Sequence, residues 1–188
     1  ESKKPLILAG GGIVGSDAIR EFRKLVAQSQ IPVVATMNGI GTLPTNDELY
    51  YGMIGSHGKR SSNRALLKAD TVIIMGARLG DRSVYNAKGL ESKTKLIHID
   101  IDPAEIDKNV ITNASITGDA DVVLKLLNDR IEQQNHKDWI AKIEEYKEKH
   151  PLTYHPDVLT GPFIVEEIDR QTKGEAIIST EVGQHQMW

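Results

Sequence analysis

Five short apolar runs alternate with stretches of helical periodicity between residues 5 and 132, and this alternation limits the fold more than anything else in the chain. The runs are 5–9 (PLILA), 33–36 (VVAT), 71–75 (TVIIM), 95–101 (KLIHIDI) and 114–117 (ASIT). Between the first two, Ala18, Ile19, Phe22, Leu25 and Val26 recur at helical spacing, with Ser16-Asp17 placed to cap the helix and Pro32 to close it. Residues 61–69 predict a second helix. Asp102-Pro103, a cap followed by proline at the first helical position, predicts a short one through Ile106. Residues 120–132 predict a longer helix with Val122, Val123, Leu126, Leu127 and Ile131 on one face. Strands that are apolar throughout need cover on both faces, so the pattern predicts an α/β fold with a parallel sheet between two helical layers. Ligands of such sheets bind in the loops at the carboxyl ends of the strands. Gly10–Gly12, Thr36–Asn38, Gly76–Arg82 and Asp100–Asp102 all fall on that edge, and the glycine-punctuated loop 37–58 is long enough to suggest a function of its own.

The last third reads differently. Residues 137–149 (KDWIAKIEEYKEK) predict a charged amphipathic helix and 150–160 an extended linker. Gly161-Pro162 opens another helix, carrying Phe163, Ile164, Val165 and Ile168. Residues 176–179 (AIIS) predict a further strand and 181–185 the turn after it. The expected organisation is a nucleotide-type domain over 1–135, a helix and interdomain linker over 136–160, and the truncated start of another domain over 161–188. On this reading the chain is a segment of a longer enzyme and carries neither a catalytic centre nor a metal site of its own. A net charge of −3, spread along the sequence, argues against nucleic acid or a membrane surface as partner. There is no cysteine, so disulfides, thiol nucleophiles and zinc-thiolate sites are excluded. No apolar run reaches the roughly 18–20 residues that span a bilayer, and the first residues lack a signal peptide's layout. A cytoplasmic location is expected.

Gly10, Gly12 and Gly15 satisfy G-x-G-x-x-G between a strand and a helix, the dinucleotide fingerprint. The acidic residue expected after the second strand is missing, since Thr36, Met37 and Asn38 stand there. A phosphate contact and tight strand-to-helix packing both remain open for these glycines. In Gly76-Ala77-Arg78-Leu79-Gly80-Asp81-Arg82, two arginines follow a buried strand. They suit phosphate oxygens through planar bidentate bonds, or pair with Asp81 as a loop brace. His57 among Gly52, Gly55 and Gly58 is a single loop histidine without metal-ligand spacing. Asp100 is placed to accept from a ribose hydroxyl, and Asp102 to cap the next helix.

Taken together, the Gly-Gly-Gly turn, GMIGSHG, GARLGDR, LIHIDIDPAEI, TGDAD and TKGEAIISTEVGQHQMW resemble the large subunit of acetolactate (acetohydroxyacid) synthase, a thiamine-diphosphate enzyme family. The resemblance covers nearly the whole chain and implies a Rossmann-like central domain of a three-domain enzyme. It implies condensation of two 2-ketoacids with decarboxylation, in branched-chain amino-acid biosynthesis. Thiamine diphosphate and Mg2+ would carry the chemistry, and FAD would be a structural cofactor. It further implies a homo-oligomer, sometimes with a small regulatory subunit. By position, FAD contacts fall on Gly10, Gly11, Gly12, Thr36, Met37, Asn38, Gly55, Ser56, His57, Gly76, Ala77, Arg78, Asp81, Arg82, Asp100, Ile101, Asp119 and Ala120. Val182, Gly183, Gln184 and His185 fall where thiamine diphosphate is met. Ser56 stands where the family commonly has methionine and Gly80 where it has aspartate, so a flavin-independent relative, such as a 2-ketoacid decarboxylase or catabolic synthase, stays open. So does a non-catalytic nucleotide-binding module.

Overall fold

The computed structural model describes residues 2–84, 87–155 and 157–187. Six strands run β1 (Pro5–Ala9), β2 (Val33–Ala35), β3 (Tyr50–Met53), β4 (Thr71–Met75), β5 (Lys95–Asp100) and β6 (Ala114–Thr117). The helices are α1 (Gly11–Gly15), α2 (Ile19–Ser29), α3 (Arg60–Lys68), α4 (Ala87–Glu91), α5 (Ala120–Asn128), α6 (Lys137–Lys149) and α7 (Gly161–Thr172). The strands form one sheet in the order β3-β2-β1-β4-β5-β6, every pair parallel. This is the predicted Rossmann-like α/β fold.

Alternate residues of a strand face opposite sides, and β1 shows what that does here. Leu6 and Leu8 join Val72, Ile74 and Leu96 in a core beneath α3 and α6. Ile7 and Ala9 join Phe22, Leu25, Val123 and Leu124 in a second core beneath α2 and α5. All five residues of β1 are buried. A strand paired on both sides and roofed on both faces has no room for a polar side chain, hence PLILA.

Several sequence expectations need correction. Ser16-Asp17 do not cap α2. The glycine run already makes a turn of helix, α1; Ser16 Oγ donates to Gly12 O (2.7 Å), Asp17 turns left-handed, and Ala18 stands at the cap. Gln30 in the left-handed region ends α2 before Pro32 is reached. The loop 37–58 contains the edge strand β3, and the stretch after Gly76 contains α4. In α5, Ala120, Val123 and Leu124 are buried, with Leu127 and Ile131 packed against them, whereas Val122 and Leu126 are more than half exposed. At 100° per residue the buried stripe runs 120, 123/124, 127, 131, and the expected face was rotated off it.

Two compact units divide the chain, Glu1–His150 and Pro151–Trp188. Helix α6, which the sequence grouped with the linker, packs into the first unit. Trp139, Ile143 and Tyr146 enter its core, and Trp139 Nε1 donates to Pro5 O (2.9 Å). In the second unit α7 begins as expected, with the Thr160 hydroxyl accepting from Phe163 N and proline in the first turn, yet it buries no residue. Residues 176–179 form no strand. They are exposed, with Ile177 fully so, and among the described residues no neighbouring strand offers them a ladder.

A glycine-lined cleft at the strand ends

The strand order reverses between β1 and β4, and in a doubly wound sheet the ligand crevice opens beyond such a reversal. Here three strand ends are stitched together. Gly10 N–H donates to Met75 O (2.8 Å), Gly12 N–H to Gly76 O (3.0 Å) and Gly76 N–H to Ile99 O (2.8 Å). No side chain fits in this junction. A Cβ on Gly10 would lie 2.1 Å from Gly76 O, and one on Gly12 would lie 2.7 Å from Gly76 Cα. Gly76 itself has φ +60. Backbone packing therefore accounts for glycine at 10 and 12, the reading that competed with phosphate contact. Gly15 is different: nothing lies within 4 Å of the space its Cβ would take.

That open space is part of a cleft of about 270 Å³ lined by Gly12, Gly15, Ser16, Gly76, residues 99–101 and residues 118–120. It unites six of the predicted residues: Gly12, Gly76, Asp100, Ile101, Asp119 and Ala120. Asp100 ends β5 almost buried, its Oδ1 accepting from Asp102 N–H (3.0 Å). Its other oxygen lies 3.7 Å from His98 Nε2, beyond hydrogen-bond reach. Asp102 caps the following 3₁₀ turn through Ala104 N–H (2.9 Å), as expected. Asp119 caps α5 through Asp121 N–H (2.9 Å), which brings the positive end of that helix to the cleft.

On the other side of the junction, Thr36 N–H donates to Ala9 O (2.9 Å) and opens the 3₁₀ turn Met37–Gly39. Met37 is exposed there, and Asn38 lies against Gly11. Gly55 (φ +101) is clamped by Asn63 of α3, which donates to its carbonyl and accepts from its N–H, both at 2.9 Å. Ser56 N–H donates to Arg82 O (3.1 Å), so the two loops lie side by side, with Ser56 and His57 exposed. Ala77 is buried, while Arg78, Asp81 and Arg82 are exposed. Asp81 accepts from Arg82 N–H (2.9 Å), and among the described residues no ion pair joins it to either arginine. The loop-brace alternative is not what the structure shows. Among the described residues neither guanidinium group has a partner. The Arg78 carbonyl accepts from Asn109 Nδ2 (2.7 Å). The turn that presents Asn109 is closed by Thr112, whose hydroxyl and N–H both donate to Asp107 and hold that carboxyl below its ordinary value.

Val182, Gly183, Gln184 and His185 belong to the second unit, where Gln184–Met187 is a 3₁₀ turn. Among the described residues no group of three or more His, Cys, Asp or Glu is arranged to hold a metal, and no helix is long and apolar enough to cross a membrane. A larger cavity, about 460 Å³, opens between residues 45–48, β3, α3 and α6 and contains none of the predicted residues. Gly15, the third glycine of the fingerprint, lines the cleft as well. Four contributors were missed in the sequence. Gly118 lines the cleft as a glycine in a quoted motif, and Ser16 lines it although read only as a cap. His98 is a polar break in an apolar strand. Asn63 gave no signal, because its partner Gly55 is set by tertiary packing.

Comparison with known proteins places this geometry in context. Residues 1–127 match the family described as thiamine pyrophosphate enzyme, central domain. Over its full length the chain is 44% identical to the acetolactate synthase large subunit of Lactococcus lactis subsp. lactis (strain IL1403). It is 39% identical to the chloroplastic acetolactate synthase 1 of Nicotiana tabacum and 38% identical to a probable acetolactate synthase large subunit of Methanococcus aeolicus. The chain spans 33%, 29% and 34% of those relatives, about a third of their length.

Proposed function

The chain belongs to the family of thiamine pyrophosphate enzyme central domains, and from that premise we propose that it is the FAD-holding central part of an acetolactate synthase. The observation that carries the flavin reading is the glycine-lined cleft with a carboxylate at its floor. At about 270 Å³ it falls below the roughly 300–1,000 Å³ of a pocket enclosing a drug-sized ligand, so it suits one end of a dinucleotide. Gly15 leaves room for close approach, and Asp100 keeps one oxygen for a ribose hydroxyl. The α5 N-terminus favours negative charge. Arg78 and Arg82 are free to meet phosphate oxygens. Residues 55–57 would lie toward the flavin end.

In this reading thiamine diphosphate, held with Mg2+, supplies the decarboxylation and carbon–carbon bond-forming chemistry on two 2-ketoacids. FAD is structural. Val182–His185 would face the diphosphate of the thiamine cofactor, while the activating glutamate and the magnesium motif would come from other parts of the enzyme. A cytoplasmic homo-oligomer acting in branched-chain amino-acid synthesis, with or without a small regulatory subunit, completes the proposal.

The test is flavin content and affinity in the full-length protein. Wild type is expected to release FAD on denaturation. Arg78→Ala should bind it about one to two decades more weakly, the effect of losing one charge-assisted bond. If wild type carries no flavin and added FAD leaves its melting temperature unchanged, the flavin-independent thiamine enzyme replaces this reading.

A further inference from the structure

His98 interrupts the apolar strand β5 between Ile97 and Ile99 and is 1% exposed. Its Nε2 faces the carbonyl oxygen of Ala77 at 3.0 Å, and its Nδ1 is buried without a hydrogen-bond partner among the described residues. A carbonyl only accepts, so the proton resides on Nε2, and Nδ1 is an unmatched acceptor. A leucine there would leave no orphan; a buried polar atom without a partner is costly. Something must offset that cost, and the surroundings of Nε2 indicate what.

Ala77 follows Gly76, whose left-handed conformation turns the chain so that the Ala77 carbonyl points back at the sheet. Arg78 is the next residue. Asp100 lies two residues beyond His98 on the same face of β5, with its Oδ2 3.7 Å from the same Nε2. One imidazole N–H therefore bonds the base of the arginine loop and stands beside the carboxylate in the cleft. We propose that His98 is a positioning residue of the dinucleotide site, fixing the loop that carries Arg78 and Arg82 in register with Asp100. The proposal rests on the flavin reading for its ligand, but the coupling of loop and carboxylate is a property of the chain alone.

Two amide variants of the full-length protein separate this role from mere space filling. In His98→Gln the side-chain amide extends to where Nε2 lies, while in His98→Asn it is one methylene shorter and stops short of Ala77 O. Two amide protons report the positions at stake. Ser83 N–H, bonded to Gly80 O (2.9 Å), reports the loop, and Asp102 N–H, bonded to Asp100 Oδ1 (3.0 Å), reports the carboxylate. His98→Asn is expected to weaken FAD binding about five- to tenfold by fluorescence titration, the loss of one net hydrogen bond. It should also speed exchange at Ser83 and Asp102 together. His98→Gln should restore both within about twofold at an equal melting temperature. Equal behaviour of Asn and Gln, or a response at one amide without the other, overturns the proposal. A wild type that binds no FAD sinks the flavin reading alone, and the exchange experiment still decides the role of His98.

Discussion

Two apolar runs lie near opposite ends of this chain and meet opposite fates. PLILA at 5–9 becomes β1, the strand at the centre of the fold, paired with β2 on one side and β4 on the other. AIIS at 176–179 stays unpaired and exposed, with Ile177 wholly in solvent and Ile178 59% exposed. Local propensity barely distinguishes them, since both are short, aliphatic and partly β-branched. What differs is company. The β1 backbone pairs in register with β2 on one side and β4 on the other, and α2, α3, α5 and α6 roof its two faces. Nothing comparable packs on 176–179. A strand is thus a relation between segments, and the same contrast governs how the two should respond to perturbation.

The largest effect is expected in amide exchange. Amides of 6–9 should open only with global unfolding, while those of 176–179 have no ladder to break. At an ordinary domain stability of about 5–15 kcal/mol, the two groups should differ by at least about a thousandfold in protection. Hydrogen exchange read by mass spectrometry of the full chain checks this directly. Comparable protection in a monomer would mean that 176–179 has found a partner and that the contrast fails.

Side-chain truncation sharpens the comparison because each run contains isoleucine. Ile7 is fully buried and packs between Val33 and Ile73, whereas Ile177 touches only solvent. Ile7→Ala should cost about 2–5 kcal/mol, the transfer term plus the cavity left behind. Ile177→Ala should stay within about 0.5 kcal/mol. Urea denaturation of both variants measures the difference, and a loss above 1 kcal/mol at Ile177 would show that it is buried in solution.

Company also decides what could be read from residues alone. Strands β1, β4 and β5 were legible because burial on both faces demands consecutive apolar residues, and the ligand edge followed from where those strands end. Tyr50–Met53 was not legible as β3, since an edge strand of four residues with a glycine carries little pattern. Residues 176–179 were misread for the converse reason: the pattern was present and the neighbours were not. Within the site, Gly76 and Asp100 could be placed because strand ends are local information. The clamp of Asn63 on Gly55 and the bond from His98 to Ala77 join residues 8 and 21 positions apart, and only the packing of α3 and the β4–β5 ladder creates them.

The smallest effect concerns how the N-terminal run is fastened, which the C-terminal run lacks. Asp70, in the turn between α3 and β4, accepts from Lys3 N–H (2.8 Å), Lys4 N–H (2.9 Å) and the Ser2 hydroxyl, and returns its own N–H to Lys4 O (3.1 Å). Burial taken alone would raise its pKa, but the bonds from Ser2, Lys3 and Lys4 outweigh burial and hold the carboxyl below 3.8. A carboxyl depressed on folding stabilises fully above its unfolded pKa, and the contribution fades as pH falls through the folded value. The clasp should therefore be intact at neutral pH and weaken below about pH 3.8. Asp70→Asn keeps the shape and one accepting oxygen but removes the charge. Because the group is largely solvent-screened, the loss at pH 7 should be modest, on the order of 0.5–1 kcal/mol. The gap between wild type and variant should then close as the wild-type carboxyl protonates, since both side chains are neutral there. Urea midpoints measured from pH 7 down to pH 2.5 follow it. A gap that persists undiminished at the acid end would mean that shape rather than charge fastens residues 2–4, and that the N-terminal run owes its place to the β1 ladder alone.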